Sequence, residues 1–144
     1  DRGRPALRKG IPTIIAPGNA DFIIGGPIDV SRVQFPDRRY HEHNPQLTAV
    51  RTKLEDLRKL ADHLAANVRE AKGPVRVFTP LGGFSSHDST SGHLMDTTVP
   101  APFADYLQQV MPASAPVTVI DAHFNDEAFA DAIIAAAREL LEAK

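Results

Sequence analysis

The chain has 144 residues, enough to bury one core. Hydrophobic residues make up 42% and charged residues 24%, and 16 Lys plus Arg against 18 Asp plus Glu leave a formal net charge of -2. That balance lacks the basic excess used to hold nucleic acid. The absence of cysteine excludes disulfides and thiolate metal sites, and no apolar run approaches the roughly 20 residues that span a bilayer.

A first strand is expected at Thr13-Ile14-Ile15-Ala16, stopped by Pro17-Gly18, with a short helix before it around Pro5 to Lys9. The stretch from Phe22 to Asp37 reads as a long loop rich in Gly and Pro. A weaker second strand is expected at Arg38-Arg39-Tyr40-His41. The longest helix is expected from Pro45 to Lys72, where Leu54, Leu57, Leu60, Ala61, Leu64 and Val68 share one face and Gly73-Pro74 supplies the stop. Val75 to Thr79 reads as the third strand, and Leu81 to Pro100 as a long polar loop of the kind that is functional or disordered. A second helix is expected from Pro102 to Val110, a fourth strand at Val117 to Ile120, and a last helix from Asn125-Asp126 through Leu141.

Strands alternating with helices predict an α/β fold: an open, mainly parallel sheet flanked by helices, a Rossmann-like layered domain. Each expected strand is followed by a polar cluster, and such sheets bind ligands at the carboxyl ends of their strands. The first cluster holds Gly18 and Asp21. The second holds His43, Asn44, Thr48, Arg51 and Thr52, the third Gly83, Ser85 and Asp88, and the fourth His123, Asn125 and Asp126.

In the second cluster, a helix starting near Pro45 would aim its free amides at this edge, with Thr48 and Arg51 on one face of its first turns. Amides, a hydroxyl and a guanidinium suit a phosphate or carboxylate. The structural alternative is a helix capped by Asn44, with Arg51 paired to an acid. His123 beside Asp121 is the candidate acid or base, and equally a ligand donor or a buried polar residue. A Ser-His-Asp hydrolase drawn from Ser85, His123 and Asp126 lacks a nucleophile-elbow pattern. No pair among His43, His87, His93, His123, Asp88 and Asp126 has a metal-ligand spacing, so no protein-bound transition metal is expected.

Several pieces occur in a familiar order: Gly10-Ile11-Pro12, Pro17-Gly18-x-x-Asp21, His43-Asn44-Pro45-x-x-Thr48-x-x-Arg51-Thr52, Gly73-Pro74-Val75, Gly83-x-Ser85-x-x-Asp88 and His123-x-Asn125-Asp126. With them the chain resembles the second domain of the ATP-binding family of bacterial, fungal and plant proteins that includes the tomato mosaic virus resistance protein. The chain departs from that pattern at Phe124 and at Thr90-Ser91. The resemblance implies that residues 1–144 form a single α/β domain, the C-terminal half of a two-domain protein, which would account for a start without Met. It implies ATP with magnesium as ligand, a missing N-terminal domain as partner, and a homo-oligomer.

The leading expectation is a domain that binds a nucleotide or phosphorylated metabolite. Arg51, Thr48 and Thr52 would hold the anion, Ser85 and Gly83 the opposite wall, and His123 with Asp126 would complete the pocket. The alternatives are an enzyme acting on a small carboxylate or phosphate ester through His123, and a dimerisation or interaction module. A cytoplasmic location is expected, with no nucleic-acid or membrane partner.

Overall fold

The computed structural model describes residues 3–142; Asp1, Arg2, Ala143 and Lys144 lie outside it. Helix α1 (Arg4–Arg8) leads into β1 (Thr13–Ile15). The chain continues through β2 (Phe22–Gly25), α2 (Ile28–Gln34), β3 (Tyr40–Asn44) and β4 (Leu47–Arg51). Then come α3 (Leu54–Val68), β5 (Val75–Pro80), a single 3-10 turn at Ser86–Asp88, α4 (Pro100–Val110), β6 (Val117–Ile120) and α5 (Glu127–Glu142).

The expected parallel sheet is present, in the order β1-β5-β6, with Thr13 beside Val75 and Val77 beside Val117. Its central strand β5 is almost wholly buried, as befits a strand covered on both faces. Successive side chains point to opposite faces. Val75 and Val77 join the core under α3 and α4, where Leu57, Ala61, Ala65, Val68, Phe103 and Leu107 pack together. Phe78 joins the other face, under Phe129, Ala136 and Ile133 of α5. Burying a side chain such as Phe103 stabilises by roughly 1.5–3 kcal/mol.

The structure corrects the placement of the second expected strand. Tyr40 to Asn44 form β3, which belongs to a separate antiparallel sheet of order β2-β4-β3 inserted between β1 and α3. The same sheet corrects two further expectations. The stretch from Phe22 to Asp37 is largely ordered as β2 and α2, because Phe22-Ile23-Ile24 is a β-prone run that pairs with β4. The long helix starts at Leu54 rather than Pro45. Asn44, Pro45 and Gln46 instead make the turn of the β3–β4 hairpin, where the Gln46 amide donates to Asn44 Oδ1 at 2.9 Å. Thr48 and Val50 are β-branched and alternate along β4. The helical spacing itself begins only at Leu54, where the Lys53 amide donates to Asp56 Oδ2 at 2.8 Å and closes the first turn.

Helices α4 and α5 begin where β5 and β6 end, and α3 runs antiparallel to β5 on the same sheet. All three therefore direct their amino ends toward the carboxyl edge of the parallel sheet. No helix among the described residues is long and apolar enough to cross a membrane.

Candidate functional site

The carboxyl edge is assembled from three loops that hold one another. After β1, the Asn19 amide donates to Phe84 O at 3.0 Å. Asn19 sits at φ 55°, a left-handed position that Asn tolerates better than most residues. After β5, Gly83 takes φ 114°, and a Cβ there would stand 2.1 Å from Asp88 O. Only glycine fits that bend. After β6, the Phe124 amide donates to Gly83 O at 3.0 Å, and a Cβ on Gly18 would meet the Phe124 ring at 2.4 Å. The three strand-following clusters thus close into one surface, and Gly18 and Gly83 make the contact possible.

His123 is fixed from both sides. The Asn125 amide donates to His123 Nδ1 at 3.1 Å, so the ring proton belongs on Nε2, which donates to Ser85 O at 3.0 Å. Its own backbone amide donates to Asp126 Oδ2 at 2.8 Å, while Asp121 is exposed. Asn125 Nδ2 reaches Ser86 Oγ at 3.3 Å, and both residues are exposed at the rim.

Beneath this surface lies a buried polar network. Asp21, Thr48, Arg51, Thr52, Ser85 and Asp88 are all buried, with Asp21 at 0% and Arg51 at 3% exposure. Arg51 Nη1 stands 3.2 Å from Asp88 Oδ1 and 3.8 Å from Asp21 Oδ2, and Ser85 donates to Asp21 Oδ2 at 2.6 Å. Asp88 also accepts the Phe84 amide at 3.2 Å and the Asp96 amide at 2.9 Å. Thr52 donates to Ala20 O at 2.8 Å. Burial pushes the Asp21 carboxyl above its ordinary range and the Asp88 charge adds to this, while the Ser85 hydrogen bond and Arg51 only partly oppose them. Asp21 Oδ1, Thr48 Oγ1, Arg51 Nε and Arg51 Nη2 have no hydrogen-bond partner.

The structure therefore brings Arg51, Asp21, Ser85, Asp88 and His123 together at one edge, linked through Ser85. Thr48 and Arg51 arrive there on strand β4 and not on a helix turn. His43 and Asn44 do not join them: both are exposed at the hairpin end of β3.

Two groups escaped the sequence reading. His41 stacks on His93 with ring centroids 4.0 Å apart, and His87 lies 5.0 Å from His41. Burial and the neighbouring His93, His87 and His43 hold His41 below its usual range. The second group is a cleft of about 370 Å³ beside the start of α3, lined by Arg38, Arg39, Arg51 and Lys53 among others. The doublet Arg38-Arg39 is its signal in the sequence. Among the described residues no group of three or more His, Asp or Glu converges to hold a metal ion.

Comparison with known proteins gives a consistent picture. Residues 1–141 match the family model described as the C-terminal domain of an uncharacterised protein family, UPF0261. A UPF0261 protein of Brucella suis biovar 1 is 32% identical over 135 residues, covering 94% of this chain and 32% of that protein. The ToMV resistance protein Tm-1(GCR237) of Solanum lycopersicum is 29% identical over 130 residues, covering 89% of this chain and 17% of that protein. A UPF0261 protein of Clostridium tetani is 29% identical over 145 residues, 34% of its length. The chain spans about a third of the bacterial relatives it matches and about a sixth of the tomato relative.

Proposed function

The chain belongs to the uncharacterised protein family UPF0261, as its C-terminal domain, and from the geometry of its sheet edge we propose that it is a binding domain for a nucleotide such as ATP or another phosphorylated metabolite. The observation that carries this reading is the closure of three loops over the carboxyl edge of the parallel sheet, through Asn19 on Phe84, Phe124 on Gly83 and His123 on Ser85. Open parallel sheets take ligands at that edge. Ser86 and Asn125 stand exposed there, next to the start of the 16-residue helix α5. Hydroxyl, amide and helix-terminal N–H groups are a donor set that suits phosphate oxygens. A magnesium ion carried by the phosphates needs only one or two carboxylates, and Asp121 is exposed at the end of β6. Both ring nitrogens of His123 are engaged by backbone groups, which favours binding over acid–base chemistry.

The test is titration calorimetry of the full-length protein with ATP and magnesium, beside a Ser86→Ala/Asn125→Ala double variant. The double variant should bind more weakly by about 1–3 kcal/mol, the loss of two hydrogen bonds. Identical affinity in the two proteins, or turnover of a phosphate ester that His123→Gln abolishes, would sink the reading.

A further inference from the structure

The basic side chains gather apart from the loops just described, on the α3 side of the sheet edge. The cleft beside α3 has a volume of about 370 Å³ and is lined by Arg38, Arg39, Arg51, Lys53, Asp37 and Asp96, among others. Four cations thus face two carboxylates. Three of the cations have acid partners, Arg51 through Asp88 and Asp21. Arg38 pairs with Asp56 and lies 3.8 Å from Glu55, both in the first turn of α3. Arg39 lies 3.2 Å from Asp96 and donates to Met95 O at 2.7 Å, yet its side chain remains 51% exposed. Lys53 is exposed and has no ion-pair partner among the described residues.

Arg51 is the unusual member. Its side chain is 4% exposed, and Asp88 and Asp21 engage Nη1 alone, leaving Nε and Nη2 buried without partners. Its charge reaches the Asp96 carboxyl on the cleft wall. Burial works to raise that carboxyl, but hydrogen bonds from Thr98 and the charges of Arg51 and Arg39 outweigh it and hold it low. The 15-residue helix α3 opens at the same place, with Lys53 and Leu54 in the cleft lining. The first amides of a helix lack intrahelical acceptors and lie at the positive end of its dipole.

We propose that this cleft binds a phosphate or pyrophosphate group, with Lys53, Arg39 and the first amides of α3 contacting its oxygens and the Arg51 guanidinium lying beneath them. Arginine forks and helix amino ends are the donors that phosphate oxygens take best. The site goes beyond the function proposed above, since it uses none of Asn19, Gly83, Ser86, His123 or Asn125.

The probe is sodium pyrophosphate, titrated into the full-length protein at physiological ionic strength, where weak surface attraction is screened. The Arg39→Ala/Lys53→Ala double variant removes two exposed side chains. It should weaken binding about tenfold or more, the loss expected for charged hydrogen bonds. Lys53→Arg should keep most of the affinity. ATP is titrated in parallel. If the double variant weakens both probes, the anion belongs to a nucleotide; if it weakens pyrophosphate alone, the cleft takes a free anion. Absence of saturable pyrophosphate binding, or unchanged affinity in the double variant, overturns the proposal. So does an equal loss in Ser86→Ala/Asn125→Ala, which would assign the anion to the α5 edge instead.

Discussion

Asp21 and Ser85 meet in the interior, where the Ser85 hydroxyl donates to Asp21 Oδ2 across 2.6 Å. The contact joins the loop after β1 to the loop after β5 and leaves Asp21 between a hydroxyl and the Arg51 guanidinium. One hydroxyl and one distant cation do not offset the desolvation of a carboxylate at 0% exposure, which is why its proton is held more tightly than in water.

That imbalance has a definite sign. A carboxyl whose folded pKa is raised favours folding most below its unfolded pKa. The advantage falls away as pH rises from the ordinary carboxylate range through the raised value. Asp21→Asn keeps the shape and cannot ionise. Its stability relative to the wild type should therefore increase as pH rises out of the ordinary carboxylate range through the raised value. Urea unfolding of both proteins at several pH values measures the difference; a difference that is flat or shrinks over that rise contradicts the assignment.

Removing Arg51 is a harsher change. Asp21 and Asp88 would be left buried without their shared cation. Breaking a buried ion pair from one side costs roughly 3–5 kcal/mol, so Arg51→Ala should lower the denaturant midpoint severely. Arg51→Lys should recover only part of it, since an ammonium on a flexible stem cannot reproduce the guanidinium fork. A loss below about 1 kcal/mol, the level of an exposed pair, would show that the network carries little of the fold.

His123→Gln separates structure from chemistry. Glutamine can replace the Nε2–H donation to Ser85 O, but nothing then accepts the Asn125 amide. Stability should fall by about 0.5–1.5 kcal/mol, one ordinary hydrogen bond. Thermal and chemical melts read this directly. No change in either, together with loss of a measurable turnover, would return His123 to the role of acid or base.

The parallel sheet and its helices were legible because their signals are local. Val75 to Thr79 is a buried strand by composition, and the face of α3 repeats from Leu54 to Val68. The inserted sheet was hidden by two misleading local cues. Pro45 looks like a first helical residue but occupies a hairpin turn, and Phe22-Ile23-Ile24 is masked by the Gly25-Gly26-Pro27 that follows. The buried network was legible only in part: Arg51 paired to an acid stood as the structural alternative, without its partners Asp88 and Asp21. Asp21, Arg51 and Asp88 come from three distant segments, and charged residues are expected at the surface unless their partners are known. His123, Ser85 and Arg51 were nevertheless expected at one edge, and there they stand.

The inserted sheet also sets an order of events for the folding chain. Hairpin β3–β4 joins residues that are neighbours in sequence, through a turn at Pro45-Gln46. Such a hairpin closes within about 1–10 μs. Strand β1 must instead find β5 across the whole insertion and α3, with Thr13 against Val75. Loop closure of that length is slow to reward, and parallel pairing waits for it. The inserted sheet seats Asp21 beside Arg51 by itself, since Phe22 pairs with Arg51 across β2 and β4, whereas Asp88 follows β5 and comes from the other sheet. We expect the Arg51 guanidinium to lose its last water only when the loop after β5 closes over it with Asp88.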